Sequence, residues 1–271
     1  MRPRGLLLHA VLVLGAVLAL FPLAWMVLAS FMPTGQATQL PVRVLPDPPS
    51  LAQYTTLFER LAMGRYLLNS VLVATLVTGV SLLVNALAGY AFAKLRFAGR
   101  ERLFSLLLAL LVVPAQVTML PLFLMLREMH LVNTYAGVAI PGLASVFGIF
   151  LIRQYALSIP DELLDAARMD GASELRIFRS IVLPVLMPIL VTLGIFTFMA
   201  TWNDFLWPLI ILSDDARYTL PVALAGLSGE HVQDIELMMA GAVVTVLPVM
   251  LVFLFLQRYY LQGIMLGSVK G

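Results

Sequence analysis

Six apolar runs divide this chain, at about 6–32, 66–93, 103–126, 135–156, 185–212 and 237–256. A helix crosses the hydrocarbon core of a bilayer in about 20 apolar residues, so each run is long enough to span. Lipid offers backbone groups no hydrogen bonds, and a helix satisfies them within the segment. The runs therefore predict an all-α, polytopic membrane protein with six transmembrane helices in one transmembrane domain over residues 1–271. Composition agrees: 61% of residues are hydrophobic, 12% are charged and the mean hydropathy is +0.96. A soluble chain of this length would need far more charge on its surface. The first run follows Arg2 and Arg4. A signal peptide has a shorter apolar region ahead of its cleavage site, and this run is long enough to span, so it reads as an uncleaved first span.

Several chemistries lack the residues they need. There is no cysteine, which excludes disulfides and thiolate metal sites. His9, His130 and His231 are far apart and form no HExxH pattern. Neither lysine, Lys94 or Lys270, follows a glycine-rich phosphate-binding run. No cofactor is expected in this chain, and if ATP drives it, another chain must bind the ATP and its Mg.

One long polar stretch interrupts the second half, IPDELLDAARMDGASELRIFRSIVLP from Ile159 to Pro184. Pro160 disfavours helix before it, and Asp161 is a good N-cap for a helix starting at Glu162. Acids in the first turns suit the positive end of the helix dipole. Gly171 is placed to stop that helix in a left-handed cap. Ser173 can cap a second helix whose Ile177, Phe178, Ile181 and Val182 form an apolar stripe at helical spacing. The expected unit is a helix, a glycine turn and a second helix, with Pro184 opening the next span. An amphipathic helix lying on anionic lipid would be rich in Lys and Arg, whereas the first helix here carries four acids and one arginine.

The stretch resembles the EAA motif of ABC importer permeases, on Asp165, Ala166, Ala167, Gly171, Ile181, Leu183 and Pro184. Aspartate stands where that motif has glutamate, which keeps the charge and shortens the reach. The surrounding IPDELxxAARxDGAS wording is similar to the carbohydrate-uptake branch, the second permease of the maltose and glycerol-phosphate type. The resemblance implies a cytoplasmic coupling helix between 157 and 184 that docks in a cleft of an ATPase, with Asp165, Ala166, Ala167, Asp170, Gly171, Leu183 and Pro184 at the coupling site. It also implies a second homologous permease, two copies of the ATPase and an extracytoplasmic solute-binding protein. The glycine-rich tail LQGIMLGSVKG is similar to the ends of this family and would also touch the ATPase. The remaining surroundings are membrane lipids, and no nucleic-acid partner is expected.

Within the spans, Asn69, Ser70, Thr75, Thr78, Ser81 and Asn85 in the second, with Gly79 and Gly89, are mostly suited to helix packing. Pro114 and Pro121 loosen the third, with Gln116 and Thr118 between them, as either a functional kink or a packing bend. The fifth holds the one acid well inside a span, Asp204. Gly194, Thr197, Thr201, Asp204 and Pro208 recur at three- and four-residue steps and so would share a helix face, with Asn203 beside them. Thr197, Thr201, Asn203 and Asp204 are candidates to line a translocation path, while a hydrogen-bonded structural role for Asp204 stays open. A stand-alone ion-coupled carrier built on Asp204 is the alternative function. Residues 213–233 are polar, and the resemblance implies an external loop there.

Charge sets the orientation. With six spans, one side holds Arg2, Arg4, Lys94, Arg96, Arg100, Arg102, Arg153, Arg168, Arg176, Arg179, Arg258 and Lys270, twelve cations. The other holds Arg43, Arg60, Arg65, Arg127 and Arg217, five. The positive-inside rule puts both termini and the polar stretch in the cytoplasm, and the resemblance implies the cytoplasmic membrane of a bacterium or archaeon.

Overall fold

The structure is a computed structural model that describes residues 3–41, 43–230 and 234–268, with side-chain surroundings over 8–41, 43–226 and 234–255. Arg2, His231 and Lys270 lie outside the described residues, as do the last three residues of the tail. Among the described residues there are helices, turns and loops, and no strand. In chain order the α-helices are α1 (Pro3–Ala29), α2 (Ala52–Thr55), α3 (Met63–Lys94), α4 (Arg100–Ala109), α5 (Ala115–Glu128), α6 (Tyr135–Ala139), α7 (Val146–Ala156), α8 (Asp161–Met169), α9 (Glu174–Ile177), α10 (Leu183–Trp202), α11 (Leu206–Ile211), α12 (Leu220–Glu230) and α13 (Ile235–Ser268).

Four segments are single helices long and apolar enough to cross a membrane: Leu8–Ala29, Met63–Lys94, Glu174–Trp202 and Ile235–Phe255. Two further spans are broken. Arg100–Val112 and Ala115–Glu128 meet at 107°, and Tyr135–Gly142 and Val146–Ala156 at 43°. The third expected span is thus not one helix. Val113 is extended (ψ 118) and Pro114 follows it with ψ 133, because a residue before proline is driven out of the α region. Pro121 stays inside α5. The fourth breaks between Gly142 and Val146, and each half is capped from within. Thr134 accepts from the Gly137 N–H at 3.0 Å, and Ser145 from the Gly148 N–H at 3.2 Å.

The fifth run is also corrected. Helix begins at Glu174 and passes through a wide π turn over Phe178–Val182 into α10. Pro184 and Pro188 remove backbone donors there, and a π turn accommodates such a lesion. The helix then ends at Trp202, short of the expected limit at 212. The Asn203 side-chain amide donates to the Met199 carbonyl at 2.8 Å, and the Asp204 carboxylate accepts from the Trp207 N–H at 3.4 Å ahead of α11. Such local side-chain bonds compete with helix continuation. Asp204 therefore occupies a break between helices rather than a continuous helix face. The last helix, α13, runs past the expected limit at 256 to Ser268.

The chain divides into two compact units. One comprises Met1–Leu67 with Leu220–Val249. In it, the apolar side chains of α1 from Leu8 to Leu23 are exposed, which suits hydrocarbon rather than water. The proline-rich loop after α1 is tied down by polar bonds. Gln53 donates to Thr34 Oγ1 at 3.0 Å, Gln36 exchanges two bonds with the Asp47 backbone, and the Ala37 N–H donates to the buried Glu236 carboxylate at 2.6 Å. The loop ends in the short helix α2, which continues into the π turn Thr56–Arg60.

The other unit comprises Leu68–Thr219 with Met250–Gly271. Its larger core joins α3, α7, α8, α9 and α10 through Ala86, Tyr90, Ile152, Leu164, Ile177 and Leu186. Gly89 makes this packing possible, since a Cβ there would lie 2.6 Å from Ile152 Cγ2 and 3.1 Å from the Arg153 backbone nitrogen. Polar groups of α3 serve packing, as expected of them. Asn85 is fully buried, donates to Ser81 Oγ at 2.9 Å and accepts from the Ser145 N–H at 3.0 Å. Asn69 donates to the Ala216 and Tyr218 carbonyls and accepts from the Tyr135 hydroxyl. A second core joins α3, α5, α6 and α11 through Val73, Leu126, Val138, Trp207 and Ile211.

Candidate functional site

Two places in this second unit bring the candidate residues together. The first is the hairpin of α8 and α9. Pro160, not Asp161, occupies the N-cap, and Asp161 is the first helical residue. The reason is Lys94 at the end of α3, whose Nζ donates to Asp161 Oδ1 and to the Ile159 carbonyl, both at 2.6 Å. The hydrogen bond and charge of Lys94 hold the Asp161 carboxyl below its usual range. Gly171 closes α8 with φ +79 and open space around its Cβ position, so the backbone conformation alone asks for glycine. The Gly171 N–H reaches the Arg168 carbonyl and the Ala172 N–H the Ala167 carbonyl, both at 3.0 Å. That pair of bonds is a Schellman closure. Ser173 then caps α9, accepting from the Arg176 N–H at 3.4 Å.

One face of the hairpin is core: Leu164, Ile177, Phe178 and Val182 are buried. The other is presented outward. Asp165, Ala166 and Asp170 are exposed, as are the apolar Met169 and Leu175 at 88% and 71%. Ala167 is half-buried. Leu183 packs on the core and the exposed Pro184 follows it in the first turn of α10, so these two stand apart from the outward patch. Arg168 spans the turn, donating to Asp165 Oδ1 and Glu174 Oε1, each at 2.7 Å. These two acids hold its guanidinium protonated above the usual range. The Tyr90 hydroxyl of α3 donates to Glu174 Oε2 at 2.8 Å.

Linear reading does not reveal these pairings, since Tyr90 and Lys94 come from a helix more than sixty residues away. Beside the hairpin, the basic loop after α3 is held by Arg153. Its Nε donates to the Phe92 carbonyl, a terminal nitrogen pairs with Glu101, and the guanidinium lies 4.1 Å above the Phe104 ring. A cavity of about 1410 Å³ between loop and hairpin is lined by Lys94, Arg96, Arg102, Asp161, Asp165 and Arg168 among others.

The second place is a cavity of about 830 Å³ where the start of α5 meets the break between α10 and α11, with α3 and the end of α6 completing the wall. Thr201, Asn203 and Asp204 line it, together with Gln116 and Thr118 from between the two prolines of the third span. Thr197, further back along α10, is half-buried and is not among the lining residues. Phe205 and Trp207 supply aromatic surface, and Trp207 is fixed by its Nε1 donating to the Gly137 carbonyl at 3.1 Å. Thr219 also lines the cavity. It falls in the segment read as an external loop, where no pattern marks it, yet it is only 5% exposed.

The family described as "Binding-protein-dependent transport system inner membrane component" matches residues 85–265, which take in the hairpin and the cavity lining apart from Ser70, Val73 and Val77. The arabinooligosaccharide transport permease AraQ of Halalkalibacterium halodurans is 38% identical over 259 residues, covering 94% of this chain and 93% of the relative. The lactose transport permease LacG of Rhizobium radiobacter is 36% identical, covering 97% and 95%. A chain in the crystal structure of a bacterial ABC transporter that imports the acidic polysaccharide alginate superposes with a TM-score of 0.84 at 26% identity, over 96% of this chain and 97% of that one. An all-helical membrane chain with this match along its length belongs to the family of inner-membrane permease components of binding-protein-dependent ABC importers.

Proposed function

We propose that this chain forms one half of the membrane pathway of an ATP-driven importer for a sugar or related polyol. The observation that carries the reading is the pairing, in one compact unit, of an outward acidic hairpin with a polar, aromatic-walled cavity at the helix breaks. Relatives that carry arabinooligosaccharides and lactose support the solute class. A second permease completes the pathway. Two copies of a cytoplasmic ATPase bind ATP and Mg, and an extracytoplasmic protein delivers the solute. The twelve-to-five distribution of cations supports cytoplasmic termini and a cytoplasmic hairpin.

In this reading ATP draws the two ATPases together. The ATPases carry the hairpins with them, and the spans open outward to receive the solute. Asp165, Ala166, Ala167 and Asp170 present the docking surface, Gly171 sets its turn, and Leu183 and Pro184 join it to α10. Thr201, Asn203 and Asp204 line the path, with Thr197 on the helix leading to them.

Purification of the chain from its native membrane in mild detergent tests the assembly: a second six-span permease and an ATPase are expected with it. Recovery alone, or as a homo-oligomer, overturns the reading. Asp165→Lys reverses charge at the docking surface, and ATP-dependent uptake is expected to be lost while the chain still inserts. Wild-type uptake in that variant removes the docking role.

A further inference from the structure

The Thr219 hydroxyl is buried in the wall of the 830 Å³ cavity and has no hydrogen-bond partner among the described residues. A buried polar group left unpaired costs free energy unless something entering the site completes it. The groups facing the same space are the Asp204 carboxylate, the Asn203 and Gln116 amides and the Thr118 and Thr201 hydroxyls, and no lysine or arginine among the described residues lines it.

From this geometry we infer that the cavity admits neutral polyhydroxylated solutes and turns anionic ones away, with Asp204 as the specificity-determining residue. The inference rests on the proposed role of the cavity as part of the path. Solute hydroxyls donate to the carboxylate and exchange hydrogen bonds with the amides and with Thr219. The apolar face of a sugar ring meets Phe205 and Trp207. The volume falls within the range of about 300–1,000 Å³ common to small-molecule sites. An anionic solute would meet a fixed negative charge with no cation to offset it, which is how a site selects against a competitor. The alginate importer shares the fold and carries an acidic polysaccharide, so on this argument fold and solute charge part company here.

The chain has no native cysteine, which permits a test that needs no knowledge of the solute. Thr219→Cys and, separately, Thr118→Cys are introduced into the assembled transporter, in membranes open to reagent on both faces. Each is labelled with a cationic and an anionic methanethiosulfonate of similar size, and each rate is divided by that reagent's rate with a free thiol in solution. The ratio cancels any effect of the site on the thiol itself. The cationic reagent is expected to be favoured by about tenfold, as for one fixed charge acting with opposite sign on two probes in partly aqueous surroundings, and Asp204→Asn should abolish the preference. Equal normalised rates overturn the charge selection and leave the path reading standing. A preference that survives Asp204→Asn overturns the role of Asp204. Failure of both cysteines to react with either reagent overturns the path reading as well. If the Thr219 variant does not assemble, Thr118→Cys carries the same comparison alone.

Discussion

Replacing Gly171 with alanine isolates one term of the hairpin's stability. Apart from Gly171 and its two chain neighbours, no heavy atom of the described residues lies within 4 Å of the position a Cβ would take, so the substitution introduces no clash beyond the local backbone. What changes is the cost of holding φ at +79. A left-handed conformation costs an L-residue about 1–2 kcal/mol, while alanine also loses less freedom on folding than glycine, an offset of about 0.4–1 kcal/mol. The net is about 1 kcal/mol against the closed turn, a factor of about five in its opening equilibrium. The Gly171 and Ala172 amides report that equilibrium directly, because the Arg168 and Ala167 carbonyls accept from them only while the turn is closed. Hydrogen–deuterium exchange over a peptide covering 161–182 of the assembled transporter should therefore quicken about fivefold at these two amides in Gly171→Ala. It should quicken less in Gly171→Asn, since asparagine tolerates the left-handed region. Unchanged exchange in the alanine variant, or equal acceleration by alanine and asparagine, would refute the assignment of this turn to backbone conformation.

Other perturbations reach different parts of the molecule. Asn85→Leu leaves the half-buried Ser145 N–H without its acceptor and should cost about 1 kcal/mol, read as a lower thermal midpoint of the purified complex. Gly89→Val drives a side chain into Ile152 and the Arg153 backbone and should cost about 1–3 kcal/mol by overpacking. Ile152→Ala should recover part of that loss in the double variant, and additive losses would show that the two helices do not meet there. The Asp161 carboxyl is held below its usual range by Lys94. Its contribution is therefore complete above the unfolded value of about 4 and is lost as pH falls through the lower folded value. Asp161→Asn should flatten the acid limb of the complex's thermal midpoint below the unfolded value of about 4.

The parts legible in the sequence are those fixed by local chemistry. Gly171, Ser173 and the stripe of Ile177, Phe178 and Val182 act on neighbours a few residues away, and the hairpin they specify is the one observed. Apolar length alone placed the spans but not their breaks, because hydropathy is blind to direction. Arg100–Val112 and Ala115–Glu128 form one apolar run, yet the chain turns by 107° between them. The break after Trp202 depends on two side chains choosing backbone partners, Asn203 on Met199 and Asp204 on Trp207. A helical spacing cannot register that choice. Asp161 shows the same limit at a smaller scale, since its sequence context favours capping and a lysine from α3 takes its carboxylate instead. Thr219 acquires its place only when the chain from Ser213 onward folds back on the unit, a tertiary fact with no linear trace.

The twofold engagement of Arg168 has a consequence for any protein that grips the hairpin. Asp165 is not a free charge awaiting a cation, because its carboxylate already shares a guanidinium with Glu174, which Tyr90 in turn ties to α3. A partner cation that takes Asp165 must take it from Arg168, so binding is an exchange of ion pairs and the net electrostatic gain is small. What the exchange releases is the grip of Arg168 across the glycine turn. The same event that seats a partner would then loosen the strut between the two short helices, leaving the exposed Met169 and Leu175 to supply the adhesion.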